Sequence, residues 1–244
     1  MSVVVRFLGT GSASAPGGRS HSCVLVRGDT AVLLLDCGAS ALPAITRDLD
    51  AGEIDAVLVS HLHGDHFGGI PFLLMEQHYA GRTRPLVICG PRDLEWRVRE
   101  LALVLYPDFY AQALSYPVEF TVFHANGTDV AGVRVTGLPV VHIAGSDAHG
   151  MRVLIDGKLI AYSGDAEWSD ALPALADGAD LFICEATTYS LRWAGHLSAV
   201  EIAAHRGELR CARIVLTHLG PEAVAHRGDI PFEVADDGLS IALG

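Results

Sequence analysis

The five cysteines, Cys23, Cys37, Cys89, Cys184 and Cys211, form no C-x-x-C pair, and most sit inside apolar runs such as Leu181-Phe182-Ile183-Cys184. Their scatter excludes a thiolate metal site or a redox dithiol and offers no disulfide framework. They read as reduced core thiols of a cytosolic protein. No apolar run approaches the roughly 18 residues of a membrane span, and no amino-terminal stretch has the basic, apolar and small-residue order of a signal peptide. The expectation is a cytoplasmic protein with no membrane partner. Basic residues are scarce, 17 Lys plus Arg against 29 Asp plus Glu, for a formal net charge of −12. A surface of that sign repels polyanions, so extensive nucleic-acid binding is not expected unless basic residues cluster locally. No linker, low-complexity segment or charge run divides the chain. Its 244 residues, half of them apolar, and its mean hydropathy of +0.33 suit one domain, 1–244, with one sizeable core.

What the chain does have is Ser60-His61-Leu62-His63-Gly64-Asp65-His66. Val57-Leu58-Val59-Ser60 reads as a short buried strand, and helix-spaced apolar residues follow from Phe67, so three imidazoles and a carboxylate crowd one turn. Imidazole nitrogen suits zinc, iron, manganese or nickel, and carboxylate oxygen suits harder ions. A cluster offering both within six residues can serve two metals.

This stretch resembles the signature of the metallo-β-lactamase-fold hydrolases. Three further elements of that signature lie downstream, as His142 after Val140-Val141, Asp165 in Tyr162-Ser163-Gly164-Asp165, and His218 closing Ile214-Val215-Leu216-Thr217. The resemblance implies an α/β fold, a four-layer αβ/βα sandwich. It also implies two divalent metal ions, zinc first with manganese or iron as alternatives. His61, His63 and His142 would hold one, Asp65, His66 and His218 the other, and Asp165 would bridge them. Metals so paired share a hydroxide, which Asp65 would orient or deprotonate.

In chain order, Val3 to Leu8 predicts a strand that enters Gly9-Thr10-Gly11-Ser12-Ala13-Ser14-Ala15-Pro16-Gly17-Gly18-Arg19. A loop this rich in glycine lets backbone N–H groups approach a ligand, and Arg19 offers a fork to an anionic oxygen. The other reading is a flexible turn between strands. Phe-Leu-Gly-Thr-Gly-Ser-Ala with its following Arg resembles the amino-terminal signature of the tRNase Z branch, which hydrolyses phosphodiesters. Strands follow at Cys23 to Arg27 and Ala31 to Leu35, joined at Gly28-Asp29. Asp36 then either hydrogen-bonds behind the ligand loop, as the resemblance implies, or caps a helix over Ser40 to Leu49. Phe67 to Tyr79 reads as one helix. Arg92 to Leu105 reads as another, with Leu94, Val98, Leu101 and Leu105 on one face. The aromatic stretch Tyr106 to Tyr110 is either a pocket wall or a satellite core. Asp147 and His149 lie on a loop near the site, as substrate contacts or as solvated turn residues.

Strands at Val118 to Phe123 and Val133 to Val141 lead to His142. In tRNase Z proteins a long arm that grips tRNA lies between the motifs matching His142 and Asp165. Here a hairpin around Asp156-Gly157 fills that interval, and no arm fits. After Asp165 stands Ala166, where the family usually has Thr. Glu185 ends the strand from Leu181, where it can orient a catalytic partner. That partner would be His196, because Gly195-His196-Leu197-Ser198 resembles the tRNase Z loop whose His protonates the leaving oxygen. The plainer reading of His196 is a residue preceding the Ser198 helix cap. Helix Ser198 to Glu208 is expected to turn Val200, Ala203 and Ala204 inward. Phe232 to Leu243 reads as a closing hairpin around Asp236-Asp237-Gly238. His21, His78, His124, His205 and His226 have no motif support.

These residues predict a hydrolase, most simply a phosphodiesterase on a small-molecule phosphodiester or nucleotide. The same ligand set serves acyl hydrolysis of lactones, thioesters or lactams, and a metal-keeping sensor would need no turnover. A redox di-iron site usually has an acidic residue where His63 stands. The resemblance alone allows a homodimer.

Overall fold

The computed structural model describes residues 2–124 and 126–244. Leucine-rich and β-branched runs build β1 (Val3–Gly9), β2 (Cys23–Arg27) and β3 (Val32–Leu35) as an antiparallel meander. β4 (Ala56–Leu58), β5 (Leu86–Gly90) and β6 (Val118–Val122) then add in parallel beyond β3. Parallel pairing needs long crossovers, which carry α1 (Leu42–Asp48), α2 (Gly64–Phe67), α3 (Ile70–Tyr79), α4 (Leu94–Leu105) and α5 (Pro107–Tyr110). The second half repeats this plan. β7 (Thr128–Val130), β8 (Val133–Pro139), β9 (His149–Ile155) and β10 (Lys158–Tyr162) are antiparallel. β11 (Leu181–Glu185), β12 (Ile214–Thr217) and β13 (Glu233–Val234) are parallel, with α6 (Ala171–Ala176), α7 (Ala199–Ala204) and α8 (Pro221–Ala225) between them.

Alternation along the strands sorts the side chains into layers. Phe7, Leu33 and Leu58 of one sheet meet Val153, Ile160 and Ile183 of the other in the central core. Leu34, Val57 and Ile88 turn outward onto Ile45, Leu73 and Val98 of α1, α3 and α4. Phe182, Cys184 and Leu216 turn outward onto Leu172, Ile202 and Ala223 of α6, α7 and α8. Each such fully buried aliphatic side chain contributes about 1.5–3 kcal/mol before entropy is counted. The result is the expected four-layer αβ/βα arrangement. Cys23, Cys37, Cys89 and Cys184 are buried, Cys211 is half-buried, and all five are free thiols. Burial pushes the Cys37 and Cys89 thiols up to about 12. Among the described residues no helix is long and apolar enough to cross a membrane.

Several expectations give way to tertiary context. Phe232 to Leu243 is not a hairpin. β13 lies parallel to β12, and β14 (Ser240–Leu243) lies antiparallel to β1 in the other sheet, so the chain crosses between sheets there. Asp236 to Leu239 do form a turn, the Leu239 N–H donating to the Asp236 carbonyl at 3.0 Å, but it carries the chain from one sheet to the other, and the Asp236 and Asp237 carboxylates accept from Arg19, Thr10 and Ser20 across the molecule. The helix read over Phe67 to Tyr79 is two helices, broken at Gly68-Gly69. An ideal Cβ on Gly69 would stand 2.3 Å from the Gly38 carbonyl oxygen, so only glycine lets α3 begin against that loop. The α7 phase is rotated from the expected one. Ala199 and Ile202 face inward, whereas Val200 and Ala204 are exposed. Leu105 of α4 is likewise exposed, and Ala102 takes the inward place. β7 and α8, both short, lacked a periodic signal. Tyr110 of the Tyr106 to Tyr110 stretch packs against the outer core, its hydroxyl donating to the Pro71 carbonyl.

Candidate metal centre

Open α/β sheets expose chemistry at the carboxyl ends of their parallel strands, and here both sheets do so on the same side. β3 leads into Asp36, β4 into Ser60 and His61, and α2 carries Asp65 and His66. From the other sheet come His142 past β8, Asp165 past β10, Glu185 at the end of β11 and His218 just past β12. Asp36 and His218 hold positive φ values of 60° and 56°, uncommon for non-glycine residues and concentrated at functional sites.

Two clusters result, and they meet at Asp165. In the first, His63 Nδ1 lies 3.0 Å from His61 Nε2 and 3.2 Å from His142 Nε2. Asp165 Oδ2 is 3.7 Å from His61 Nε2 and 3.9 Å from His142 Nε2. In the second, His66 Nε2 and His218 Nε2 are 3.3 Å apart, and Asp65 Oδ2 is 3.3 Å from His218 Nε2. Asp165 Oδ1 stands 3.3 Å from His66 Nε2 and 3.4 Å from His218 Nε2.

These residues fit a pair of divalent ions. Within each cluster the candidate ligand atoms lie within 4.8 Å of one another. Ligands about 2.0–2.1 Å from a tetrahedral ion sit roughly 3.3 Å apart, which is the nitrogen spacing found here. Asp165 Oδ1 is buried with no hydrogen-bond partner, a costly state for a carboxylate oxygen that a cation would relieve. Burial and the facing imidazoles push His61 and His63 below their ordinary value and so keep them neutral with a lone pair to offer. At His66 burial opposes protonation, yet Asp165 and Asp36 draw positive charge onto the ring and carry it well above. Burial likewise opposes ionisation of Asp165, but His218, His66 and His61 hold its carboxyl well below the usual range.

The ring nitrogens facing away from the clusters are also occupied. His66 Nδ1–H donates to Asp36 Oδ2 at 2.7 Å, and His61 Nδ1–H to Ser60 Oγ at 3.1 Å. His142 Nδ1–H donates to the Gly195 carbonyl at 2.6 Å, and His218 Nδ1–H to Thr187 Oγ1 at 2.9 Å. Such outer partners choose the tautomer and aim the lone pair. Asp36 also accepts from Ser60 N, Ser60 Oγ and Tyr162 Oη, so it braces the ligand loop and caps no helix. Glu185, fully buried, accepts from Ala166 N, Thr187 N, Thr187 Oγ1 and His196 Nδ1, the last at 3.0 Å. The same Nδ1 of His196 is 3.8 Å from Asp165 Oδ2, and the ring stands between His142 and His218, with centroids 4.9 and 5.7 Å away, while Ser198 separately caps α7.

The family model described as Anti-Pycsar protein Apyc1 matches residues 3–232. The chain belongs to the Apyc1 family. Its fold is the metallo-β-lactamase fold: it superposes on the metallo-β-lactamase fold protein YhfI from Bacillus subtilis with a TM-score of 0.80, covering 99% of both chains at 21% identity. It superposes on the short form of human tRNase Z with a TM-score of 0.77, covering 98% of both at 27% identity. Ribonuclease Z of Methanococcus maripaludis is 32% identical over 141 residues, 56% of this chain but only 44% of that protein, so the chain matches less than half of that relative's length.

Within this Apyc1-family chain, Arg19 stands apart from the two clusters. Its guanidinium pairs with Asp236 at 2.6 Å and donates to Thr10 Oγ1, so the fork expected for a substrate anion ties the glycine-rich loop to the crossing segment. That loop still borders the site, through Ser12 N to the Leu219 carbonyl and Leu219 N to the Thr10 carbonyl. Asp147 and His149 line a separate cleft with Arg92 and His124. Between His142 and Asp165 the chain forms a loop and the β9–β10 hairpin. Ser60, Tyr162 and Thr187 were not singled out by sequence, although each is a hydroxyl at the end of a buried strand beside a recognised residue.

Proposed function

We propose that the chain is a metal-dependent phosphodiesterase acting on a small phosphodiester, a cyclic phosphate or nucleotide. The observation that carries this reading is His196, oriented by the buried Glu185 and set beside Asp165 between the two clusters. His61, His63 and His142 would hold one divalent ion, Asp65, His66 and His218 the other, and Asp165 both. Zinc suits this donor set, as do manganese and iron. When bound, such a pair would supply Lewis-acid charge to phosphate oxygens and make a water at the site more acidic.

The chain's own groups do the rest. Burial opposes ionisation of Asp65, but hydrogen bonds from His218 and His66 keep it an anion able to orient an attacking water. Burial also pushes the His196 imidazole down, and the Glu185 hydrogen bond and charge more than offset it, raising its affinity for a proton. Glu185 occupies Nδ1, so the proton available to a departing oxygen is on Nε2. The names of the ribonuclease Z and tRNase Z relatives support phosphodiester chemistry. The short interval before Asp165 and the acidic surface support a small substrate.

The test is hydrolysis of bis(p-nitrophenyl) phosphate by protein reconstituted with zinc or manganese, with Asp165→Ala alongside. Turnover is expected in the wild type and only background in the variant. Wild-type protein that holds two metal equivalents, leaves phosphodiesters intact and hydrolyses lactones or thioesters overturns the proposal.

A further inference from the structure

The outer helical layer of the first half holds a hollow of about 350 Å³ that shares no residue with the metal centre. Its floor is aliphatic and buried, formed by Val98 and Ala102 of α4 and Leu74 of α3. β6 is the end strand of its sheet and supplies one wall through Phe120, and the loop 111–117 supplies another through Leu114 and Tyr116. Packed interiors leave few voids larger than a water molecule, so a space of this size between a helix and a strand is not ordinary core. Its volume falls in the range of small-molecule sites.

Two phenols border the hollow without offering it a proton. Tyr110 Oη donates to the Pro71 carbonyl, and Tyr116 Oη donates to the Leu74 carbonyl at 3.1 Å. Burial pushes both phenols up from their ordinary value, so they stay neutral and meet the hollow as apolar walls. Charge enters at one point. Arg99 is the sole charged residue of the lining, and with its side chain 63% exposed it belongs to the mouth. Its guanidinium carbon stands 5.6 Å from the centre of the Phe120 ring. Nε and Nη2 both reach one oxygen of Glu95, Oε1, at 3.0 and 2.9 Å. Among the described residues Nη1 has no partner. An exposed pair one helical turn apart contributes little, so it yields to an anion held more firmly.

An apolar body carrying a single carboxylate matches this division. Carbon walls take the body, and a guanidinium edge takes a carboxylate through parallel N–H bonds. An amine would meet Arg99 as a like charge, and a phosphate ester would carry its charge into walls that cannot solvate it. We propose that the hollow between α4 and β6 is a binding site, separate from the metal centre, for an apolar carboxylate whose head group pairs with Arg99. The phosphodiesterase reading is not needed for it.

The test is calorimetric titration of the metal-loaded protein with octanoate, octanol and octylamine. Acetate serves as the control that can reach a metal but cannot fill the hollow. Octanoate is expected to bind with one-to-one stoichiometry and about tenfold more tightly than octanol, with octylamine weakest and acetate unable to displace it. Arg99→Gln should bring octanoate down to the level of octanol and leave octanol unchanged. Ala113 lines the hollow from the exposed loop, where a large side chain leaves the buried floor intact. Ala113→Trp should therefore keep the wild-type Tm and weaken octanoate and octanol alike. A preference for octanoate that survives Arg99→Gln places the carboxylate elsewhere and overturns the site. Binding untouched by Ala113→Trp overturns it too. So does a dimer in sedimentation that Ala113→Trp dissociates, since a second copy of the chain would then occupy the hollow.

Discussion

Glu185 accepts four hydrogen bonds with no access to solvent, and only one of them comes from His196. The other three fix the carboxylate so that the imidazole must orient to it rather than the reverse. Removing its charge while keeping its shape separates orientation from electrostatics. Glu185→Gln is expected to retain the wild-type metal content and lose about 10²–10⁴ in kcat, with a smaller effect on KM. Steady-state kinetics beside elemental analysis decide this. A variant with full metal and full kcat removes His196 from the reaction. The Thr187 hydroxyl links the same carboxylate to His218, so one buried acid braces both a candidate ligand and the candidate proton donor. Motif spacing reached His196 and Glu185 but passed over Thr187, because a hydroxyl carries no chemical signature until its neighbours are known.

The ligand loop depends on how α2 and α3 meet the chain after β3. Cys37 N donates to the His66 carbonyl, and Gly69 N donates to the Cys37 carbonyl, so residues 37–39 and 64–69 interlock through their backbones. Gly69→Ala would drive a methyl group into the Gly38 carbonyl, where no flexible side chain can yield. Overpacking of this kind costs about 1–3 kcal/mol, or roughly 2–12 °C of Tm in a chain of this size. Because α2 carries Asp65 and His66, metal affinity should fall with it. Thermal denaturation and a metal titration check this, and an unchanged Tm contradicts the close-approach account. The same contact explains why a single helix was expected over Phe67 to Tyr79. Its apolar spacing is continuous, and the break is imposed by a loop distant in sequence. The misjudged phase of α7 has a similar origin, since five of its six side chains are small or apolar and leave two faces nearly equivalent.

Across the molecule, the two sheets are clasped at a β-turn contact. Asp156, in the turn between β9 and β10, accepts from the Thr30 hydroxyl and from the backbone N–H groups of Thr30 and Asp29 between β2 and β3. Those bonds, the Thr30 hydroxyl first, hold its carboxyl below the ordinary value. A carboxylate depressed on folding contributes stability above its unfolded pKa of about 3.9 and loses it as pH falls through the folded value. Asp156→Asn should therefore lower Tm at pH 7, and the gap from wild type should close below about pH 4. A gap that widens with acid reverses the assignment. Gly28 belongs to the same contact, since an ideal Cβ there would stand 2.1 Å from Asp156 Oδ2. The opposite edge should be stabilised by metal. At a hundred times Kd a bound ion contributes about 2.7 kcal/mol, roughly 5–10 °C. Differential scanning with and without zinc or a chelator should show that shift, and Asp165→Ala should abolish most of it.

Strand positions, the layered α/β plan and the crowd of imidazoles at residues 61–66 could all be read from the linear chain. Each depends on neighbours a few residues apart: alternation sets which face a side chain shows, and adjacency sets ligand density. The destination of β14 could not be read so, because an alternating segment specifies its faces and not the edge it joins. Nor could the fate of Arg19, whose guanidinium meets a carboxylate 217 positions later. The same holds for the placement of Asp165 between two clusters. Those pairings are chosen by the packing free energy of the whole core set against the entropy of closing long loops, and no local window of residues contains that balance.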